Sequence, residues 1–150
     1  MTLKQWLESK WLLEHRTTRQ EIQGLLSIIE RDLRDAQVSG VSADWRLAIA
    51  YNAALQCAVA ALAAAGYRPG RGGSHHYHAI EALKFTLSCE SDLIRTLDAF
   101  RKKRNIADYE RAGSATEREV TELVGLGQEL RARLVQWLER EHPELTSPPK

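Results

Sequence analysis

Apolar side chains recur along this chain in helical steps. Ile22, Leu25, Leu26, Ile29 and Leu33 follow one another at intervals of three and four, which lines them along one stripe of a helix. Thr18 and Glu21 have the Thr-x-x-Glu form of a capping box at its start. Its end falls near Val38, at Ser39-Gly40. Glu30, Arg31, Asp32, Arg34 and Asp35 fill the other side and read as a solvated, ion-paired face. Ile80, Leu83 and Leu87 mark a later helix over HHYHAIEALKFTL, capped by Ser74, and Ser88 to Ser91 reads as a kink or a short break. Leu93, Ile94, Leu97 and Phe100 then form the stripe of a fourth helix. A turn at Gly113-Ser114 and a second capping box, Thr116 with Glu119, open the last one. That helix runs through Val120, Leu123, Val124, Leu130, Leu134, Trp137 and Leu138 until His142-Pro143 stops it, because proline cannot continue a helix. At the front, LKQWLESKWLLE (Leu3 to Glu14) places Leu3, Trp6, Leu7, Trp11 and Leu13 at mixed helical spacing and reads as a short opening helix.

The stretch from Ser42 to Gly66, SADWRLAIAYNAALQCAVAALAAAG, departs from this amphipathic pattern. Beyond Trp45 its clearly polar side chains are Arg46, Asn52 and Gln56. A helix apolar nearly all round must be wrapped by other helices, and its many alanines let those neighbours come close. Ser42 is a good N-cap and Gly66 supplies a left-handed stop. The stretch is long enough to cross a bilayer, which takes about 20 residues. Its apolarity comes mainly from alanine, however, and Asn52 and Gln56 sit near its middle. It therefore reads as the central helix of a bundle, with no membrane involved. Short connections between neighbouring helices favour an all-α, up-and-down bundle of about five helices. Residues 1–17 form a helical extension, 18–142 the bundle, and 143–150 a disordered tail.

Composition adds limits. A chain of 150 residues is one domain with a real core, and its net charge of +1 means that any affinity for nucleic acid must come from a local patch. Cys57 and Cys89 in helical surroundings suit a reducing cytoplasm. The opening MTLKQWLESK has no uninterrupted apolar core of signal-peptide type. The tryptophans Trp6, Trp11, Trp45 and Trp137 read as core or interface residues.

Two segments carry candidate chemistry. In FRKKRNIADYER, Arg101, Lys102, Lys103 and Arg104 are consecutive cations followed by Asn105, Tyr109 and Arg111. Cations late in a helix complement its dipole, so the bland reading is a solvated face. The second segment, GYRPGRGGSHHYH, holds Arg68, Arg71, His75, His76 and His78. Imidazole is a common metal ligand, but His75 and His78 share a helical face while His76 points elsewhere, and no cysteine or carboxylate pair completes a set. No metal and no cofactor is expected. The glycines lack the Walker Lys-Ser/Thr, so the loop is not a P-loop. The bland reading is a helix N-terminus whose histidines bond loop backbone, and a middle reading is a mobile, basic edge able to receive phosphate.

The central text AIAYNAALQCAVAALAAAGYRP, the His-containing loop leading to HAIEAL, and the short run RKKRNIADY together resemble HEPN domains (higher eukaryotes and prokaryotes nucleotide-binding) over about residues 18 to 140. The resemblance implies a small helical bundle that dimerises. It also implies metal-independent cleavage of RNA by an Arg, its polar neighbour and a His. Carried onto this chain, Arg104 is the signature Arg, Asn105 its polar neighbour, and Tyr109 stands where the His is expected. Arg101, Lys102, Lys103, Arg111, Arg68 and Arg71 would then bind the nucleic acid. An unperturbed Tyr titrates near 10, so Tyr109 is a poor general base. Over regular helix, Arg104 and Tyr109 also diverge by about 140°. Two functions of different class follow as expectations. One is a cytoplasmic, homodimeric RNA-acting protein, a toxin or defence component with weak or lost nuclease activity. The other is a non-catalytic module binding a nucleotide or a partner such as a nucleotidyltransferase-type antitoxin.

Overall fold

A computed structural model describes residues 2–72, 74–109 and 112–146, and the side chains of all of these except 106–109. The fold is an all-α helical bundle built on one buried helix, α3 (Ala43–Ala65). Its ends are locally encoded. The Ser42 hydroxyl accepts from the Trp45 amide, and Gly66 closes the helix at φ 103°, a conformation that costs glycine little. Leu47, Ala50, Ala53, Ala54, Cys57, Ala60, Ala61 and Leu62 are fully buried. Although α3 is long and apolar enough to cross a membrane, 72% of its most apolar window is buried inside the fold. Its cover comes chiefly from α2 (Arg19–Asp35) and α7 (Glu117–Glu141), then from α6 (Ser91–Tyr109).

In α2, Ile22, Ile29 and Leu33 are buried, with Leu25 and Leu26 packed against the core. In α7, Val120, Leu123, Val124, Leu130, Leu134 and Leu138 are buried. The Thr116–Glu119 capping box forms in full. At α2 only half of the box forms. The Thr18 hydroxyl accepts from the Glu21 amide, while the Glu21 carboxylate instead takes the Thr17 hydroxyl at 2.8 Å and His15 at 2.6 Å. The Asp44 carboxylate, at the start of α3, accepts from the amides of Gly113 (2.5 Å) and Ala115 (3.1 Å), and so ties the turn before α7 to the central helix.

Several sequence expectations are corrected. Asp32 is not on a solvated face: it is 5% exposed, accepts from Asn52 Nδ2 at 2.7 Å and pairs with Arg31 Nε at 3.0 Å. Gln56 Nε2 donates to Asn52 Oδ1 at 3.2 Å, so the polar side chains of α3 form a chain of bonds that satisfies a buried carboxylate. The opening segment is not one helix. α1 (Leu3–Glu8) stops at Lys10, whose φ is 63°, and Leu12–Glu14 becomes strand β1. It pairs antiparallel with β2 (Tyr67–Pro69) in the register Leu12↔Pro69, Leu13↔Arg68, Glu14↔Tyr67. Burial explains the switch, since the ribbon puts Leu12 into the core at 0% exposure while α1 buries Trp6 at 4%. Trp45, by contrast, is 64% exposed and belongs to no core.

The third predicted helix is divided at Ala82 into α4 (His75–Glu81) and α5 (Leu83–Thr86), and the Thr86 hydroxyl bonds back to the Ala82 carbonyl at 3.3 Å. Ser74 makes no side-chain cap. After α7, Pro143–Leu145 forms a 3-10 turn with Leu145 buried and its carbonyl accepting from Gln23 Nε2 at 3.4 Å, so the segment expected as a tail begins on the bundle. Residues 147–150 lie outside the described ones.

Candidate functional site

The four consecutive cations of α6, Arg101 to Arg104, do different things. Arg101 Nε pairs with Asp98 Oδ1 at 2.7 Å, and Lys102 Nζ lies 3.6 Å from Asp98 Oδ2. Lys103 Nζ lies 3.6 Å from Glu119 Oε2 on α7. Arg104 turns inward, with its guanidinium carbon 5.8 Å from the ring centre of Tyr51 on α3, and its Nη1 donates to Asn105 Oδ1 at 3.4 Å. In the expected basic patch Arg101, Lys102 and Lys103 are thus held in ion pairs, and Arg104 reaches toward Tyr51.

Tyr51 is where the two candidate segments meet. Its ring is 1% exposed, and its hydroxyl lies 3.4 Å from His76 Nδ1. The His75 ring stands edge-on to His76 at 4.4 Å, and His75 Nδ1 donates to the Gly72 carbonyl at 2.7 Å. Arg101 lies 5.8 Å from the Tyr77 ring, closing the group from the side of α6. One half-buried imidazole, two guanidiniums and a buried phenol therefore share one wall of the protein.

Electrostatics follows from that crowding. Burial, then His75, Arg104 and Arg101, push His76 down to about 4, so its imidazole is neutral at physiological pH. Burial pushes the Tyr51 phenol up to about 12 despite Arg101 and Arg104, so it stays protonated. With Nδ1 protonated, His76 donates to the Tyr51 oxygen and leaves Nε2 with a lone pair. In the other tautomer Tyr51 donates, and Nε2–H faces outward as a donor. The tautomer with a proton on Nε2 can donate to an anion beside Arg104, the other can accept a proton there, and Arg101 is already paired with Asp98.

The residues singled out in sequence are thus sorted. Arg104 is placed beside an imidazole, but the one from α4. Asn105 is exposed next to it. The side chain of Tyr109 and all of Arg111 lie outside the described residues. Arg68 is exposed on β2, and Arg71 lines a separate cleft with Lys10, Trp11, His75 and His78. Among the described residues, no group of three or more His, Cys, Asp or Glu stands ready to hold a metal ion. Sequence reading missed Tyr51 altogether, because a tyrosine amid alanines looks like packing. It saw His76 and Arg104 without pairing them. Cys57 and Cys89 are buried free thiols, the first pushed up to about 12 by burial.

Comparison of the chain with family models, with curated proteins and with solved structures found no match.

Proposed function

We propose that this protein binds RNA through the Arg104–His76–Tyr51 cluster, as a HEPN-like cytoplasmic protein with slow, metal-independent ribonuclease chemistry. The observation that carries this reading is the convergence of Arg104 and His76 on Tyr51. It supplies an imidazole beside the signature arginine even though Tyr109 occupies the expected position in α6.

The chemistry follows from the groups present. A backbone phosphate settles on the Arg104 guanidinium. Neutral His76, held by Tyr51, takes the proton of the ribose 2′-hydroxyl at Nε2. The 2′-oxygen attacks phosphorus, the bond to the 5′-oxygen breaks, the leaving oxygen takes a proton from water, and the hydroxide so formed takes the proton from the His76 imidazolium. The products are a 2′,3′-cyclic phosphate and a 5′-hydroxyl. Arg104 offsets the negative charge that grows on the phosphoryl oxygens. With its pKa near 4, His76 is a weak base, which makes cleavage slow. Each protomer of a homodimer would carry its own arginine and imidazole.

The test is cleavage of end-labelled single-stranded and structured RNA in EDTA, with Arg104→Ala and His76→Asn as companions. Cleavage that survives EDTA and is lost in both variants supports the nuclease. His76→Asn keeps a side chain able to bond Tyr51, so retained binding with lost cutting separates proton transfer from recognition. Growth arrest on expression, relieved by Arg104→Ala, would support a toxin role. The pairing of Arg101, Lys102 and Lys103 with Asp98 and Glu119 favours a second reading, a non-catalytic module for a nucleotide or a nucleotidyltransferase-type partner. A protein that neither binds nor cuts RNA at any concentration would favour it, whereas RNA binding without cutting would leave an RNA-binding protein whose nuclease activity is lost.

A further inference from the structure

A second basic feature adjoins α4 at His75 and His78. Lys10, Trp11, Arg71, His75 and His78 line a cleft of about 250 Å³ that no carboxylate enters among its described lining residues. Its walls come from the α1–β1 turn and the β2–α4 loop, which are held together at Gly70. The Gly70 amide donates to the Trp11 carbonyl at 2.8 Å. A Cβ at Gly70 would stand 2.4 Å from the Lys10 carbonyl oxygen, so only glycine lets the two backbones approach this closely.

Trp11 lies flat on His78, with ring centres 4.6 Å apart and planes at 10°, and is braced edge-on by Trp6 at 5.5 Å. It nevertheless remains 37% exposed. A rigid aromatic surface beside cations, with no acid among the described lining residues, is the composition that receives a nucleobase and its phosphate. The volume lies below the range of about 300 Å³ and more for drug-sized ligands and suits one unit of a strand. His75 joins the two places, since it lines this cleft and touches the His76 ring at 4.4 Å.

We propose that the cleft is a nucleotide subsite for single-stranded RNA. The base stacks on Trp11, and its phosphate faces Lys10 and Arg71. The neighbouring phosphodiester is thereby delivered to His76 and Arg104. This rests on the RNA reading of the cluster, and it names a specificity element that the α6 motif does not contain.

The experiment measures binding of short oligouridylates to the full chain by tryptophan fluorescence and by anisotropy of a labelled strand. It compares wild type, Trp11→Phe, Trp11→Ala, Arg71→Gln and Arg104→Ala, each checked for native helicity. Stacking on aromatics predicts roughly 5- to 150-fold weaker binding for Trp11→Ala. Arg71→Gln, on an exposed side chain, should weaken binding several-fold and flatten its salt dependence. RNA-dependent quenching should vanish in Trp11→Phe. If Arg104→Ala weakens binding while Arg71→Gln and both Trp11 variants match wild type, the subsite is overturned and the cluster stands. If the cleft variants lose binding and Arg104→Ala does not, the subsite is supported and the cluster reading fails. No binding by wild type overturns both.

Discussion

The half-buried imidazole at the centre of the cluster should make stability depend on pH in a way that one substitution isolates. His76 sits near 4 in the folded chain against an ordinary value of 6.5, mainly through burial and secondarily through His75, Arg104 and Arg101. Folding depresses this pKa, so at intermediate pH the unfolded chain binds the proton that the native state refuses. The native state is therefore fully favoured above about pH 6.5 and loses this contribution as pH falls toward about 4. Between about pH 7.5 and about pH 4.5 the full shift corresponds to roughly 2.5 kcal/mol. His76 is only half-buried, and discounting for solvent screening leaves about 1 to 1.5 kcal/mol. The assay is urea denaturation of wild type and His76→Asn at both pH values. Exposed carboxylates such as Glu21, Glu90 and Glu117, whose pKa values are lowered by their partners, also cost stability in acid, but they do so in both proteins. The wild type should lose about 1 to 1.5 kcal/mol more than His76→Asn over this interval. Equal losses would show that His76 is not held neutral by the fold, and with it the electrostatic account of the cluster would fall. A bound phosphate should raise the same pKa, so RNA affinity should rise as the solution is acidified from neutrality in wild type and much less in His76→Asn.

Other consequences can be checked on the same protein. Asn52→Ala removes a donor from the buried Asp32 carboxylate and should cost about 1–3 kcal/mol in urea denaturation. A loss no greater than that of Gln56→Ala would mean that the Asn52–Asp32 bond contributes nothing special. Gly70→Ala would drive a Cβ into the Lys10 carbonyl and should destabilise by roughly 1–3 kcal/mol while changing the near-ultraviolet signal of the tryptophans. An unchanged unfolding midpoint would refute the close approach. Cys57, pushed up to about 12 and fully buried, should resist a disulfide reagent in native buffer and react on unfolding. Rapid native labelling of Cys57 would contradict its place in the core.

The helices were legible where their signals are local. Ser42 and Gly66 bound the central helix because an N-cap hydroxyl and a left-handed glycine act within a few residues of themselves. The stripes of α2 and α7 were readable because a helix with one apolar face must bury it. Local signals misled at Leu3 to Glu14, where mixed spacing hid a turn at Lys10 and a strand whose partner lies far along the chain. They misled again at Asp32, which resembles its charged neighbours in sequence and differs from them only because Asn52 meets it.

The sequence by itself therefore determined that this chain is helical, that Ala43–Ala65 is its centre, and that Arg104 and the histidine run carry candidate chemistry. Only the tertiary structure decided that Arg101, Lys102 and Lys103 are occupied by Asp98 and Glu119, and that Arg104 and His76 meet over Tyr51. The reason is physical. Propensity, capping and periodicity act over one or two turns of a chain. Which imidazole stands beside which guanidinium depends on how three helices pack, and α3, as the shared buried surface, sets that arrangement.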